Sequence, residues 1–500
     1  MKGLQIFNLY ESSKMDKWNW KIENQDYLQR TIERCRQQKI ILPTFQQLKH
    51  ASTIPEKIQQ QLEKIDLHQL HPLNLFRINW CNDSKTGKIG GINYLEIPRQ
   101  ITGENARIIG LVGKYFPTGA HKVGATYGCL TPYLVTGRFD PAYHKAVWPS
   151  TGNYCRGGVF NSNLLSVHSV AILPEEMSQE RFDWLKERGA EIYATPGCES
   201  NVKEIYDKCH ELEAQSDEYL IFNQFDQFGN AIWHHEITGY TIESLFEQIK
   251  KPGERLSAYV SATGSAGTIA AGDYLRKNFP LIKVLATEAL QCPTLLMNGF
   301  GGHRIEGIGD KHVPWIHNIK NLDLVCAIDD EQTLRILRLF NGPEGHEWLE
   351  KLGVDNNTIQ KLPLLGISSI CNLLSAIKLA KYFEFNKNDV IFTIFTDSVE
   401  LYYSRLKEMN ENWGKYSIQQ AEVDWNSIIR NQRIDYIKEL NYFDKKTIHN
   451  LKYFTWIEQQ GKDVAELNAQ WYDEDYWEER FSVVPEWDKL IEDFNDQVGL

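Results

Sequence analysis

The chain has 500 residues, of which 42 % are apolar, and its formal net charge is −12 at pH 7. This length can bury two or three cores, whereas the acidic balance disfavours nucleic acid as a partner, because binding it needs clustered Lys and Arg. No apolar run reaches the roughly 18 residues of a membrane span, and the N-terminus lacks a signal-peptide core, so we expect no membrane partner and a cytoplasmic location. The cysteines are odd in number and include no Cys-x-x-Cys pair, which predicts reduced thiols and no zinc site.

The elements predicted along residues 1–406 are typical of an α/β fold. Residues 1–72 predict a polar helical segment to which no chemistry can be assigned. Beyond it, apolar runs predict buried strands at 146–148, 167–173, 219–222, 256–260, 284–287 and 390–395. Amphipathic stretches between them predict helices, for example at 180–188 and 201–213. This alternation predicts parallel sheets with helices on both faces.

The last part of the chain, residues 411–500, has a different composition. It holds 19 acidic against 10 basic side chains and six of the 14 tryptophans. Disordered acidic tails usually lack aromatic residues, so the segment predicts a folded helical extension. We expect its tryptophans to be mostly buried, with the segment packed against residues 73–410 or across an interface between two copies of the chain; an independent appendage beyond residue 411 is the alternative.

Three turns rich in Gly, Ser and Thr carry the chemistry of the middle region. The first, residues 117–124, places Lys122 just past a glycine, at the start of a predicted helix. The second and third, residues 150–153 and 263–268, each lie between a predicted strand and a predicted helix. A buried amine, a turn of hydroxyls and amides, and a loop that can hold a phosphate are the parts that bind pyridoxal phosphate.

These turns and three further landmarks resemble the cysteine synthase and cystathionine β-synthase family of pyridoxal-phosphate enzymes, of fold type II, which includes the tryptophan synthase β-subunit. The further landmarks are residues 173–191, 306–309 and 366–369. All six occur in the order of the family, over residues 73–406. The resemblance implies a two-domain catalytic region at 73–410, with a smaller mobile domain at about 125–240 inserted in the larger one. Residues 1–72 and 411–500 would flank it.

The resemblance also implies how the cofactor is held. Lys122 would form the Schiff base and, once the substrate has displaced it, take the α-proton. His121 matches a histidine near the phosphate in the tryptophan synthase β-subunit, and a purely structural histidine is the alternative. The phosphate loop would be Gly264, Ser265, Ala266, Gly267 and Thr268, with Ala266 standing where the family generally has glycine.

Two more residues would contact the cofactor ring. Asn153 would approach the ring oxygen, and Ser368 would face the pyridine nitrogen. A hydroxyl at that nitrogen makes the ring a weaker electron sink than a carboxylate would, which favours elimination at the β-carbon over transamination. Ile370 and Cys371 follow where the family has small residues.

The substrate carboxylate would be bound by the second turn, whose neutral donors hold it without burying a second full charge. Its predicted residues are Ser150, Thr151, Gly152, Asn153 and Tyr154. Tyr154 departs from the small Thr of cysteine synthases. A Gln-Phe segment would also contribute; the register between Gln224 and Gln227 is ambiguous, and the following Phe-Gly-Asn favours Gln227.

The function implied is α,β-elimination or β-replacement on a small amino acid, through the Lys122 Schiff base and an aminoacrylate. A threonine or serine dehydratase-type ammonia-lyase is one alternative. A non-catalytic binding or regulatory protein with this fold is another, although it would be expected to have lost part of the catalytic set. The family further implies a homodimer.

Overall fold

The computed structural model describes residues 20–83, 85–150, 152–177, 179–197 and 201–500. Over these ranges the strands are β1 (Tyr94–Ile97), β2 (Arg107–Val112), β3 (Lys145–Pro149), β4 (His168–Pro174), β5 (Glu191–Thr195), β6 (Tyr219–Ile221), β7 (Arg255–Ala262), β8 (Lys283–Ala289), β9 (Leu324–Ile328), β10 (Asp389–Phe395) and β11 (Ile437–Glu439). They form one seven-stranded and one four-stranded sheet, with helices on both faces. The predicted α/β architecture and the helical C-terminal extension are therefore confirmed.

The larger sheet has the order β1-β2-β10-β7-β8-β9-β11. Its inner pairs are parallel, whereas the edge strands β1 and β11 each run antiparallel to their neighbour. Every residue of β10 is buried, as expected for a central parallel strand covered on both faces. The smaller sheet, β5-β4-β3-β6, is parallel throughout.

Helices connect and cover these strands. Before the smaller sheet lie the α-helices Gln25–Gln38, Phe45–Lys49, Glu56–Leu62 and Arg99–Thr102, and the 3-10 helices Ala51–Thr53, Pro72–Arg77 and Gly113–Tyr115. Around the smaller sheet lie Lys122–Val135, Asn153–Leu164, Gln179–Glu187, Val202–Gln215 and Phe228–Trp233, followed by the π-helix His234–Gly239 and the α-helix Tyr240–Ile249.

The remaining helices belong to the larger sheet and the C-terminal extension. The former are the α-helices Ala271–Asn278, Thr294–Met297, Asp330–Asn341, Pro343–Lys351, Asn356–Ile359, Ile367–Tyr382 and Tyr403–Trp413, and the 3-10 helices Thr268–Ala270, Ile319–Asn321, Leu362–Leu364 and Val399–Leu401. The latter are the α-helices Ile418–Asp424, Tyr442–Asn450, Val464–Tyr472, Tyr476–Phe481 and Val484–Val498, and the π-helices Trp425–Arg430 and Tyr453–Gln459.

The C-terminal extension is built into the rest of the molecule. Strand β11 completes one edge of the larger sheet, and helix Val484–Val498 packs against helices Gln25–Gln38 and Lys122–Val135. The ring of Trp487 lies 5.1 Å from that of Trp20 and 5.4 Å from that of Phe45, centroid to centroid. The carboxylate of Asp488 accepts hydrogen bonds from the backbone N–H groups of Phe45 and Gln46. The last helix thus holds the first helices and the helix of Lys122 together.

The predicted domain boundary at 411 falls inside helix Tyr403–Trp413. The division into residues 1–72, 73–410 and 411–500 stays a prediction. No single helix in the described ranges is long and apolar enough to cross a membrane. One pair of helices, residues 356–364 and Ile367–Tyr382, meets the length and composition criteria only when taken together, and the pair is bent by 118°.

Candidate active site

Lys122 is the first residue of helix Lys122–Val135, at the point where the chain leaves a tight turn. Thr118 and Gly119 both have positive φ, 71° and 76°, and this turn brings the lysine inward. Its Nζ donates a hydrogen bond of 3.0 Å to Oγ of Ser265. Burial lowers the pKa of the amine to about 8, because the charged form loses water without gaining a carboxylate in return. Lys122 is therefore suited to act as a neutral amine.

Close backbone packing fixes the helix that carries Lys122. A Cβ on Gly128 would lie 2.4 Å from the carbonyl oxygen of Gly229, so helix Phe228–Trp233 approaches to a distance that only glycine permits. The Asn161 side chain donates to the carbonyl of Val123, at 2.8 Å. These contacts leave the lysine backbone little freedom, which a reacting group requires.

The predicted phosphate loop follows the carboxyl end of β7 and leads into the 3-10 helix Thr268–Ala270. Ser265 Oγ accepts hydrogen bonds from Lys122 Nζ and from Asn230 Nδ2, each at 3.0 Å. Ala266 has φ +60°, in the left-handed region. The backbone thus adopts the conformation expected where the family has glycine, and alanine occupies it under strain.

A small cavity joins these elements. It is lined by His121, Lys122, Ser261, Ala262, Gly264, Ser265, Ala266, Thr268, Gly307, Ile308, Asn372 and Thr396. Gly307 has φ +90°, and the space beyond its α-carbon is open. A neutral amine, four hydroxyl side chains and a glycine-containing turn at a strand's carboxyl end fit an aldehyde that carries a phosphate. The residues present therefore fit pyridoxal phosphate.

His121 lies beside the cavity in a closely packed aromatic cluster. Its ring makes an edge contact with His234, at 4.8 Å between centroids, and its Nε2 lies 3.3 Å from Oγ1 of Thr396. Burial lowers the His121 pKa to about 3, so the imidazole is neutral at physiological pH. The structure places His121 at the predicted position but leaves open both its phosphate-binding and its structural role.

The second turn follows β3 and begins helix Asn153–Leu164. Ser150 Oγ accepts from the backbone N–H of Gly152 at 3.2 Å, and Asn153 Nδ2 donates to Asp397 Oδ2 at 2.6 Å. Thr151 lies outside the described residues. The Oδ1 atom of Asn153 is buried and has no partner in the described part of the chain.

The glutamine that reaches this turn is Gln224, whose Nε2 donates to Ser150 Oγ at 3.3 Å. Gln227, the choice favoured from the sequence, instead lines a separate cavity with Tyr133, Phe228 and Trp487. This contact favours Gln224, and the predicted role of Gln227 in substrate binding stays a prediction. The two Gln-Phe pairs are equivalent in sequence, and only the turn after β6 decides which one faces Ser150.

Tyr154 is directed into the core of the smaller-sheet region. Its hydroxyl donates to the carbonyl of Phe222 at 3.1 Å and lies 3.5 Å from the Cys129 thiol, and its ring packs against Trp148. These contacts among the described residues place Tyr154 in the core, and its predicted role in substrate binding stays a prediction. The tyrosine fills a buried space next to the turn.

Ser368 is buried in the first turn of helix Ile367–Tyr382. The described residue of this helix that lines the cavity of Lys122 is Asn372. Its Oδ1 accepts from the backbone N–H of Ala262 at 2.6 Å and its Nδ2 donates to the carbonyl of Ile394 at 2.7 Å. The role of Ser368 at the pyridine nitrogen stays a prediction.

Asp397 is a site residue that the sequence reasoning missed. Its Oδ2 accepts hydrogen bonds from Asn153 and from the hydroxyl of Tyr402 at 2.8 Å. Burial raises the Asp397 pKa to about 6. The available signal was its position just after β10, because the carboxyl ends of parallel strands meet at one edge of a sheet.

A buried ion pair beside the second turn was also missed. Arg181, from helix Gln179–Glu187, pairs with Glu306 at 2.8 Å, and Nε of Arg405 donates to the same carboxylate at 2.6 Å. A Cβ on Gly152 would lie 2.8 Å from the Arg181 guanidinium, so this pair borders the turn directly. It links the helices of the smaller sheet to the loop that holds Gly307.

Comparison with known proteins agrees with this geometry. Residues 113–347 match the model of the family described as pyridoxal-phosphate dependent enzyme. The chain is 29 % identical over 303 residues to a probable cysteine synthase of Bacillus subtilis (strain 168), covering 60 % of this chain and 90 % of the relative. It is 28 % identical over 324 residues to a cysteine synthase of Staphylococcus aureus (strain Mu50 / ATCC 700699), and the match covers 64 % of this chain and 96 % of that relative.

Solved structures share the fold. O-acetyl serine sulfhydrylase isoform 3 from Entamoeba histolytica superposes with a TM-score of 0.56 at 22 % identity, over 68 % of this chain and 94 % of that one. A hydrogen sulfide-producing enzyme from Fusobacterium nucleatum superposes with a TM-score of 0.53 at 21 % identity, over 62 % of this chain and 95 % of that one. Together with the site geometry and the family match over residues 113–347, these comparisons support an assignment to the fold type II family of pyridoxal-phosphate-dependent enzymes.

Proposed function

We propose that the protein catalyses α,β-elimination or β-replacement on a small amino acid, as a cysteine synthase-like enzyme or a C–S or C–O lyase. The observation that carries the proposal is the Lys122 amine, which is buried, lowered in pKa to about 8 and hydrogen-bonded to Ser265 of the loop after β7. A degenerate, non-catalytic relative would have no need to keep a reactive amine at this position. The alternative of a regulatory protein is therefore disfavoured.

In this proposal Lys122 moves the proton at the substrate α-carbon. Pyridoxal phosphate, when bound, withdraws electrons from that carbon and makes its proton acidic. The neutral form of Lys122 can accept this proton near pH 8, because burial disfavours its charged form. The protonated amine can then return a proton to the product or to the leaving group.

The second turn would orient the amino acid. Ser150 and the backbone N–H groups of the turn would bind the carboxylate, with Gln224 holding the Ser150 hydroxyl in place. Asp397 accepts from Asn153 and so fixes the direction of its amide. Burial of these groups excludes water, which strengthens neutral hydrogen bonds to a carboxylate.

The finer expectations belong to the same proposal. The smaller domain at about 125–240 would move against the rest of 73–410. The active form would be a homodimer located in the cytoplasm. Ser368 would face the pyridine nitrogen. A neutral Ser368 hydroxyl favours loss of the β-substituent over transamination. A dehydratase-type ammonia-lyase acting on serine or threonine remains the second candidate, because the same donor set serves a hydroxyl leaving group.

A panel of amino acids tests the proposal. Purified protein with bound cofactor is mixed with O-acetylserine, O-phosphoserine, cysteine, serine or threonine, with and without sulfide, and the products are separated. We expect a keto acid or a new β-substituted amino acid from at least one substrate, and loss of it in Lys122→Ala. Transamination as the main reaction, or turnover unaffected by Lys122→Ala, would contradict the proposal.

A further inference from the structure

Arg156 is a buried guanidinium that lacks an anionic partner. It lies one turn into helix Asn153–Leu164, and the residue is 7 % exposed. In the described part of the chain it makes no hydrogen bond or ion pair, and its enclosed Nε has no acceptor. Its one specific contact is with the ring of Trp184, whose centroid lies 4.7 Å from the guanidinium carbon. Arginine is almost never buried in this way unless it is paired.

The charges around Arg156 do not neutralise it. Its electrostatic neighbours are Arg181, Asp397, Arg188 and Tyr402. Burial and then Arg181 lower the pKa of Arg156 to about 10, so the surroundings disfavour a second cation. The neighbouring acid, Asp397, already accepts hydrogen bonds from Asn153 and Tyr402, and burial raises its pKa. Arg156 therefore has no carboxylate bound to it among the described residues, although Asp397 lies close enough to act on its charge.

The nearby carboxylate of Glu306 does not pair with Arg156 either. Its carboxylate is bound by Arg181 and by Arg405. Arg405 also pairs with Glu408, so these carboxylates are taken up by arginines other than Arg156.

Arg156 lies next to the turn that would bind the substrate carboxylate. It is three residues after Asn153 on the same helix, so both side chains emerge from one face, and both interact with Asp397. On the other side, the Arg181 guanidinium approaches the α-carbon of Gly152. An amino acid held at Ser150 to Asn153 would have its far end or its co-substrate within the field of Arg156.

We propose that Arg156 binds a second anionic group, a carboxylate or a phosphate, carried by a molecule that reacts at the turn of residues 150–153. The inference rests on the proposed function and narrows its substrate class. Arginine suits this task because its planar fork of donors matches both oxyanions. The group belongs either to the β-substituent of the amino acid or to the incoming nucleophile.

Two matched substrate pairs distinguish these sources. The first compares O-phospho-L-serine with O-acetyl-L-serine, each with sulfide. The second compares 3-mercaptopropionate with 1-propanethiol, each with O-acetyl-L-serine. We expect the wild-type holoenzyme to prefer the anionic member of one pair, and Arg156→Met to lower kcat/KM for that member about 10- to 100-fold, mainly through KM. The neutral members should change less than about threefold.

Further variants separate charge from structure. Arg156→Lys keeps the charge without the fork and should recover part of the preference. Arg188→Met is the control, because Arg188 also lies over the Trp184 ring but is hydrogen-bonded to the Trp184 carbonyl and to Glu187. It should leave the preference unchanged. The thermal unfolding midpoint and the amount of bound cofactor verify that each variant is folded. The substrate preference of the wild-type enzyme is a test that does not depend on the folding of any variant.

The inference is overturned if the wild-type enzyme prefers neither anionic member, or if Arg156→Met leaves the preference unchanged. Thermal stabilisation by O-phospho-L-serine and by 3-mercaptopropionate separates this failure from that of the proposed function. Stabilisation that depends on Arg156, without turnover of any substrate, supports the anion site and rejects the reaction. Turnover of neutral substrates that is unaffected by Arg156→Met supports the proposed reaction and rejects the anion site.

Discussion

The amine of Lys122 donates to a neutral hydroxyl rather than to a carboxylate, and this choice of partner decides its chemistry. A carboxylate at the same distance would favour the charged amine and raise its pKa, whereas Ser265 leaves the effect of burial uncompensated. The same logic keeps His121 neutral, since burial dominates there too. At the scale of single residues, desolvation therefore prepares this site more than ion pairing does.

A first prediction follows for the cofactor-free protein. Above pH 8 most Lys122 should be neutral, so capture of pyridoxal phosphate should gain little with further alkalinity, whereas a free amine such as butylamine gains about tenfold per pH unit. The rate at which Lys122 captures pyridoxal phosphate, divided by the rate for butylamine, should therefore fall as the pH is raised from 8 to 10; both rates are measured by absorbance. Dividing by the butylamine rate removes the titration of the cofactor itself, and Lys122→Ala should show no capture. A constant ratio would show an ordinary lysine pKa.

A second prediction concerns Asp397. Replacing it by Ala leaves the buried donors of Asn153 and Tyr402 without an acceptor, at a cost of about 1–3 kcal/mol for each. Asp397→Asn keeps an acceptor oxygen and should cost clearly less. Urea unfolding of the full chain at pH 7 measures both. Equal stability of the two variants would mean that these hydrogen bonds contribute little to the fold.

The sequence predicted the residues that face the cavity better than those that support them. Lys122 and Ser265 stand in turns whose composition alone points to the chemistry. Gln224 could not be told from Gln227, because the choice depends on where β6 ends. Tyr154 follows the predicted turn, but its ring direction is set by a buried space beside Trp148 that no local pattern encodes.

At the scale of elements, the phosphate loop shows how one residue sets backbone strain. Ala266 has φ +60°, a conformation that costs an L-residue about 1–2 kcal/mol, whereas glycine adopts it freely. Strain of this kind persists where the surrounding loop requires the conformation.

The third prediction is that Ala266→Gly stabilises the protein by about 1 kcal/mol, after the entropy of the added glycine is subtracted. Ala271→Gly is the matched control: Ala271 has φ −59°, just before a helix interior, and its replacement should destabilise the fold by about 1 kcal/mol. Thermal unfolding measures both. A destabilised Ala266→Gly variant would show that the Ala266 methyl group contributes more packing than its conformation costs.

The sequence predicted six of the strands and missed two that are buried, β2 and β9. β3, β4, β6, β7, β8 and β10 all coincide with continuous apolar runs, because parallel strands covered on both faces must be apolar throughout. The edge strands β1, β5 and β11 were not predicted either: β1 and β11 have only four and three residues, and in β5 polar and partly exposed residues dominate. Such edge strands are defined by their hydrogen-bonded neighbour rather than by their own composition.

At the scale of the whole molecule, the acidic extension proves to be part of the catalytic scaffold. The sequence predicted buried tryptophans, but it could not predict that β11 would pair with β9 or that the last helix would meet the first. Contacts such as Asp488 to Phe45 join residues more than 440 positions apart, and no local periodicity carries that information. The helix of Lys122 is packed against this junction.

The last prediction tests whether this junction supports the active site. Trp487 is 1 % exposed and packs against Trp20 and Phe45, so Trp487→Ala should open a cavity and cost about 3–5 kcal/mol of unfolding free energy. Because helix Val484–Val498 also packs against helix Lys122–Val135, the variant should lose pyridoxal phosphate more readily on dialysis. Trp413→Ala is the control from the same acidic segment: Trp413 is 39 % exposed, and its loss should cost less than about 1 kcal/mol. If both variants unfold at the same temperature and retain the cofactor equally, the C-terminal helix only covers the scaffold; a lower unfolding temperature with normal cofactor retention would limit its role to stability.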